Sequence, residues 1–134
     1  MKKISSLICF FILTGVFALT MISCRTVKDI PEDLTAPQLL QRGQSYADMS
    51  DYKTAEAYYL ETIERYGDDT NTYIEARYEL AHLYLKMKNY EKARAVLEEI
   101  IELYDYAPTG SLPAAYKKLA LIDLEKLPNR SEEE

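Results

Sequence analysis

Between Ala36 and Lys126 apolar residues return every third or fourth position, and no stretch alternates with the two-residue period of a strand. Tyr52, Ala55, Tyr59, Ile63 and Tyr66 run along one helical face, and Tyr90, Ala93, Leu97, Ile100 and Tyr104 do the same further on. Gly is scarce there, and Ala, Leu, Glu, Lys and Arg fill most positions, so intrinsic propensity also favours helix. The spacing predicts five helices, over 36–49, 52–66, 72–87, 90–105 and 112–126. Thr35 is placed to cap the first, with Pro37 tolerated in its opening turn, and Asp51 and Asn89 to cap the second and fourth. Gly67-Asp68-Asp69 ends the second helix, and Pro108-Thr109-Gly110 separates the fourth from the fifth. Ser111 is expected to cap the last helix, with Pro113 in its first turn.

Two of these stretches repeat each other. DMSDYKTAEAYY (Asp48 to Tyr59) and KMKNYEKARAVL (Lys86 to Leu97) align without a gap at an offset of 38 residues. Met49 meets Met87, Tyr52 meets Tyr90, Ala55 meets Ala93, and Ala57 meets Ala95. A helical hairpin recurring at such a period is the mark of a solenoid. The pattern resembles the tetratricopeptide repeat (TPR), carried by Leu39, Gly43, Tyr46, Tyr52, Ala55 and Tyr59 in the first unit. In the second unit it is carried by Leu80, Ala81, Tyr84, Tyr90, Ala93 and Leu97. The small residues Gly43, Ala55, Ala81 and Ala93 let paired helices approach, and the aromatics fill the space around them.

The likeness has gaps. Arg42 stands where the second unit has Leu80, Thr62 replaces a small apolar residue, and Gly67 and Asp105 replace the usual closing proline. Leu119 and Ala120 follow Leu80 and Ala81 by 39 residues and begin a third unit, but Asp123 falls where an aromatic is expected. The expected fold class is therefore all-α: a helical-hairpin solenoid of about two and a half TPR units over 35–127. The long link between hairpins, with Arg65-Tyr66-Gly67 and Leu103-Tyr104-Asp105 closing the helices, resembles envelope TPR lipoproteins of the BamD type.

The N-terminus has a different pattern. A basic head, Lys2-Lys3, precedes an uncharged run from Ile4 to Ile22 and then Met21-Ile22-Ser23-Cys24. These are the parts of a secretory signal. The ending resembles the lipobox of bacterial lipoproteins, although Met21 stands where that motif usually has Leu. The resemblance implies a signal peptide at 1–23, lipidation of Cys24 (palmitate among the acyl chains) and a lipidated tether at 24–34. It also implies membrane attachment on the periplasmic side, at the outer membrane by expectation. An uncleaved transmembrane anchor is the alternative, since the run is long enough to cross a bilayer. Residues 128–134 are expected to form a disordered acidic tail.

Charge and chemistry narrow the function. The chain carries net charge −6, and loss of residues 1–23 would remove two lysines and no acid, giving −8. That balance argues against nucleic acid as a partner. Once Cys9 leaves with the signal, Cys24 is the last cysteine, so no internal disulfide is expected. His82 is the only histidine, no serine sits in a glycine-flanked elbow, and the four glycines do not cluster. No enzyme activity, metal or cofactor is expected.

Most of the twelve tyrosines are expected in the core or, as Tyr66 and Tyr104, at helix ends. In TPR proteins the first helix of each hairpin lines the concave surface. The resemblance places Leu40, Gln44, Tyr78, His82, Leu85, Lys117, Leu121 and Leu124 there. Tyr78, Leu85, Leu121 and Leu124 would form an apolar strip for an envelope protein partner, unless the terminal helix folds over and buries it. Apolar and aromatic residues at these places disfavour a clamp for acidic peptide tails. The expected role is an interaction scaffold in an envelope assembly. The alternative is an oligomerising accessory of an envelope transporter that binds a small ligand or a solute-binding protein. Two and a half repeats fall short of the usual three, which leaves homo-oligomerisation open.

Overall fold

The computed structural model describes residues 29–128. The signal segment, Cys24 and the chain beyond Pro128 lie outside them. Five helices follow one another: α1 (Ala36–Asp48), α2 (Tyr52–Tyr66), α3 (Thr70–Lys86), α4 (Tyr90–Tyr106) and α5 (Ala114–Glu125). No helix among the described residues is long and apolar enough to cross a membrane.

Local chemistry explains each boundary. The Asp51 and Asn89 carboxylate and amide oxygens accept from the backbone N–H of Thr54 (3.3 Å) and Lys92 (3.2 Å), satisfying otherwise orphaned donors. Ahead of each cap the same turn appears twice. Ser50 (φ 59°) and Lys88 (φ 57°) adopt the left-handed conformation. The Asp51 and Asn89 N–H groups then reach back to the Tyr46 and Tyr84 carbonyls, both at 2.9 Å. Two hairpins closed by one turn geometry show that the sequence repeat is a repeat of structure.

Two helix starts differ from expectation by two residues, and the other bounds agree to within one. Asp69 caps α3 rather than merely ending α2: its carboxylate accepts from Thr72 N–H at 2.8 Å, so the helix starts earlier, at Thr70. That bond to the backbone holds the Asp69 carboxyl below the usual carboxylate range. Ser111 does not cap α5, because both its N–H and its hydroxyl bond the Pro108 carbonyl; Pro113 takes the cap position instead.

Each helix packs against its predecessor; in addition α1 touches α3 and α3 touches α5, whereas α2 and α4 do not meet. The odd helices are thus closer together than the even ones, which bends the stack towards the surface made by α1, α3 and α5. The core runs through the stack from Leu40 and Tyr59, past Ile74, Leu80 and Leu97, to Ala120 and Leu127. Gly43 explains the closest approach: a Cβ there would lie 2.5 Å from Cε1 of the buried Tyr59. Thr62, in place of an apolar residue, is fully buried and donates its hydroxyl to the Tyr58 carbonyl at 2.8 Å, so it carries no unmet polar group.

The stretch expected to hang as a tether is partly docked. Arg65 donates to the carbonyls of Pro31 (2.7 Å) and Ile30 (3.3 Å), and the Tyr66 hydroxyl donates to Leu34 (2.6 Å). Leu34 is buried in a satellite cluster with Leu39 and Tyr58, against which Ile30, Tyr46 and Tyr66 pack. The chain therefore enters the fold pinned to the C-terminal end of α2.

Candidate functional site

The inner surface is built from the exposed faces of α1, α3 and α5. At one end Pro37, Leu40, Gln41 and Gln44 of α1 face Thr72 and Glu75 of α3 across an open groove of about 250 Å³. At the other end Tyr78 lies between two rings. It stacks on His82 at 5.9 Å between centroids, one helical turn along α3, and meets Tyr116 of α5 at 5.5 Å with the planes tilted. The Tyr78 hydroxyl donates to Oδ2 of the buried Asp123 at 2.8 Å. Asp123 is also paired with Lys126 at 3.1 Å, so its charge is compensated. A carboxylate thus stands where the repeat pattern calls for an aromatic because it is the acceptor that seats α5 on α3.

Burial comes first among the causes that hold the Tyr78 hydroxyl well above its ordinary pKa, with the bond to Asp123 next. Burial, and then Glu75 and Glu79 nearby, push the Tyr116 hydroxyl up to about 12. Tyr59 is raised in the same direction, chiefly by burial and then by the charge of Glu79. These phenols are neutral donors at physiological pH. None is poised as a base.

The residues expected on the concave face are placed differently from one another. Gln44 and His82 are exposed, and Tyr78 is half-buried with its hydroxyl committed to Asp123. Leu40 is only 6% exposed; it floors the groove but belongs to the core, because α3 closes over it. Leu85 and Leu124 are half-buried against the core rather than presented to solvent. Lys117 points away from the inner surface to α4, pairing with Asp105 at 2.9 Å beside the Tyr104 ring. Leu121 is 44% exposed. Of the strip expected from Tyr78, Leu85, Leu121 and Leu124, Leu121 is exposed and the other three are half-buried where α5 packs on α3 and α4.

Glu75, Glu79, Thr72 and Tyr116 belong to the surface and were missed by reasoning on the sequence. The signal was present: Glu75 and Glu79 sit three residues before Tyr78 and His82, on the same helical face. Among the described residues no three His, Cys, Asp or Glu side chains are grouped to hold a metal.

Comparison with known proteins accords with this geometry. Residues 35–105, more than half of the chain, match the tetratricopeptide repeat family. The chain belongs to the tetratricopeptide repeat family. An uncharacterized protein of Treponema pallidum (strain Nichols) is 35% identical over 118 residues, which is 87% of this chain and 47% of that protein. The chain thus spans about half the length of that relative. No solved structure matches it. As a TPR protein it is built on a repeat that generally mediates protein–protein interaction.

Proposed function

We propose that this TPR chain is a lipid-anchored adaptor of the bacterial cell envelope. In this reading Cys24 carries the anchor, at the outer membrane facing the periplasm, and the inner surface of the solenoid holds a segment of an envelope protein, as in BamD-type lipoproteins. The observation that carries the interaction half is the surface itself. It combines an open groove, the exposed Gln44 and His82, and an aromatic pair on rigid helices that are already packed. The anchor half is supported by the basic head, the apolar run and the Ser23-Cys24 junction.

The docked entry supports a short reach between the two halves. With Ile30 and Pro31 pinned by Arg65, only Arg25 to Asp29 remain as a spacer after Cys24. Five extended residues span at most about 18 Å, so the solenoid would sit close to the bilayer. The groove is open and its volume of about 250 Å³ falls below the range usual for small-ligand pockets. That favours a protein segment over the small ligand of a transporter accessory.

The test is co-purification from membranes. Gln44→Arg with His82→Ala, two exposed inner-surface changes, is expected to abolish partner recovery while helicity stays unchanged. Full recovery of the partner with that double variant would refute the assignment to this surface.

A further inference from the structure

We infer that the segment held by the inner surface is cationic, with a Lys or Arg side chain seated in the groove between α1 and α3. The inference rests on the proposed interaction role and specifies its partner. Two independent features lead to it. The first is shape. The groove has an apolar floor and side, Leu40 and Pro37, and one carboxylate, Glu75, at its wall. Long basic side chains have that make-up: an apolar stem that packs and a charged head that must be paired.

The second is charge balance. Glu75 and Glu79 lie on the surface with phenol groups beside them, those of Tyr116 and Tyr59. A phenol donates a hydrogen bond but brings no positive charge. Cations on or next to α3 and α5 are used elsewhere: Arg77 on Glu99, Lys86 on Asp48, Lys117 on Asp105 and Lys126 on Asp123. Arg42 and Lys118 fall on the opposite sides of their helices from Gln44 and Tyr116. The surface is thus acidic and aromatic, within a chain of net charge −6. An acidic segment would meet carboxylates that no cation compensates, and a purely apolar one would bury the Glu75 charge with only a phenol beside it.

The experiment is selection of random linear peptides displayed on phage against the full chain in detergent, followed by affinity measurement of the selected peptides. Enriched sequences are expected to carry Lys or Arg at a fixed position. Glu75→Gln should weaken such a peptide by about tenfold or more. Glu64→Gln, an equal charge change on an exposed position of α2, should leave its affinity unchanged. Binding should also weaken as salt rises. Enrichment of acidic or uncharged apolar sequences that compete at His82 would overturn the cationic partner while leaving the interaction surface standing. Equal losses with Glu75→Gln and Glu64→Gln would reduce the effect to net charge and overturn it as well. No enrichment of any sequence would overturn both the surface and its specificity.

Discussion

Replacing Gly43 by Ala sets two effects against each other. In an exposed helix interior the change gains about 1 kcal/mol, because Ala is the better helix former. At this position the new Cβ would lie 2.5 Å from Cε1 and 2.8 Å from Cδ1 of Tyr59, well inside contact distance. Tyr59 is 1% exposed, so its ring has no solvent into which to withdraw. Overpacking of this kind costs about 1–3 kcal/mol and occasionally more. A Cβ at 2.5 Å from a ring that cannot withdraw puts the cost in the upper part of that range, about 2–3 kcal/mol, so the net loss is about 1–2 kcal/mol, read as a lower midpoint in urea denaturation of the chain lacking residues 1–23, followed by helical circular dichroism. The second repeat supplies the control. There Ala81 and Leu97 occupy the places of Gly43 and Tyr59, and both are fully buried. Tyr59→Leu combined with Gly43→Ala should restore most of what the single change loses, a coupling that a double-mutant cycle measures. A Gly43→Ala protein as stable as the parent, or more stable, would refute the close approach of α1 and α2.

Other consequences follow from the same geometry. Lys88→Gly should stabilise the second hairpin by up to about 1 kcal/mol, since it relieves a left-handed backbone (φ 57°) at an exposed turn, measured by the same denaturation. The contribution of the buried phenols to stability should be constant up to about pH 10 and fall above it. Tyr116 is raised to about 12 in the fold, so the unfolded chain releases that proton first and the stabilisation is lost as the pH climbs from 10 through 12. Arg65→Ala should free the Ile30–Pro31 segment, detected as faster amide exchange or proteolysis there with little change in the core. Cys24→Ala should block processing and release the chain from membranes; a processed, membrane-bound variant would contradict the lipid anchor.

The hairpins were legible in the sequence because local rules set them. The 38-residue offset, Asp51 and Asn89 before their helices, and small residues at facing positions each act over a few residues and agree with one another. The inner surface was less legible because it depends on how one hairpin leans on the next. Periodicity puts Leu40, Leu85 and Leu124 on a helix face but does not say whether a neighbouring helix covers that face. Lys117 illustrates the point: the link after α4 turns α5 so that Lys117 meets Asp105, and Tyr116 meets Tyr78 instead. Leu119 follows Leu80 in the sequence pattern, yet it is 39% exposed where Leu80 is 2%, since no sixth helix packs on α5 among the described residues. Asp123 was visible as an anomaly, but its purpose needed the hydroxyl of Tyr78, 45 residues away.

The most direct test of an inner-surface adaptor is site-specific photo-cross-linking in intact cells. A photoreactive residue at His82, exposed on the inner surface, is compared with one at Leu60, 47% exposed on α2. The account predicts one discrete cross-linked partner from position 82, lost in the Glu75→Gln background, and none from position 60. Capture of the same partner from position 60 alone, or equally from both, would contradict it.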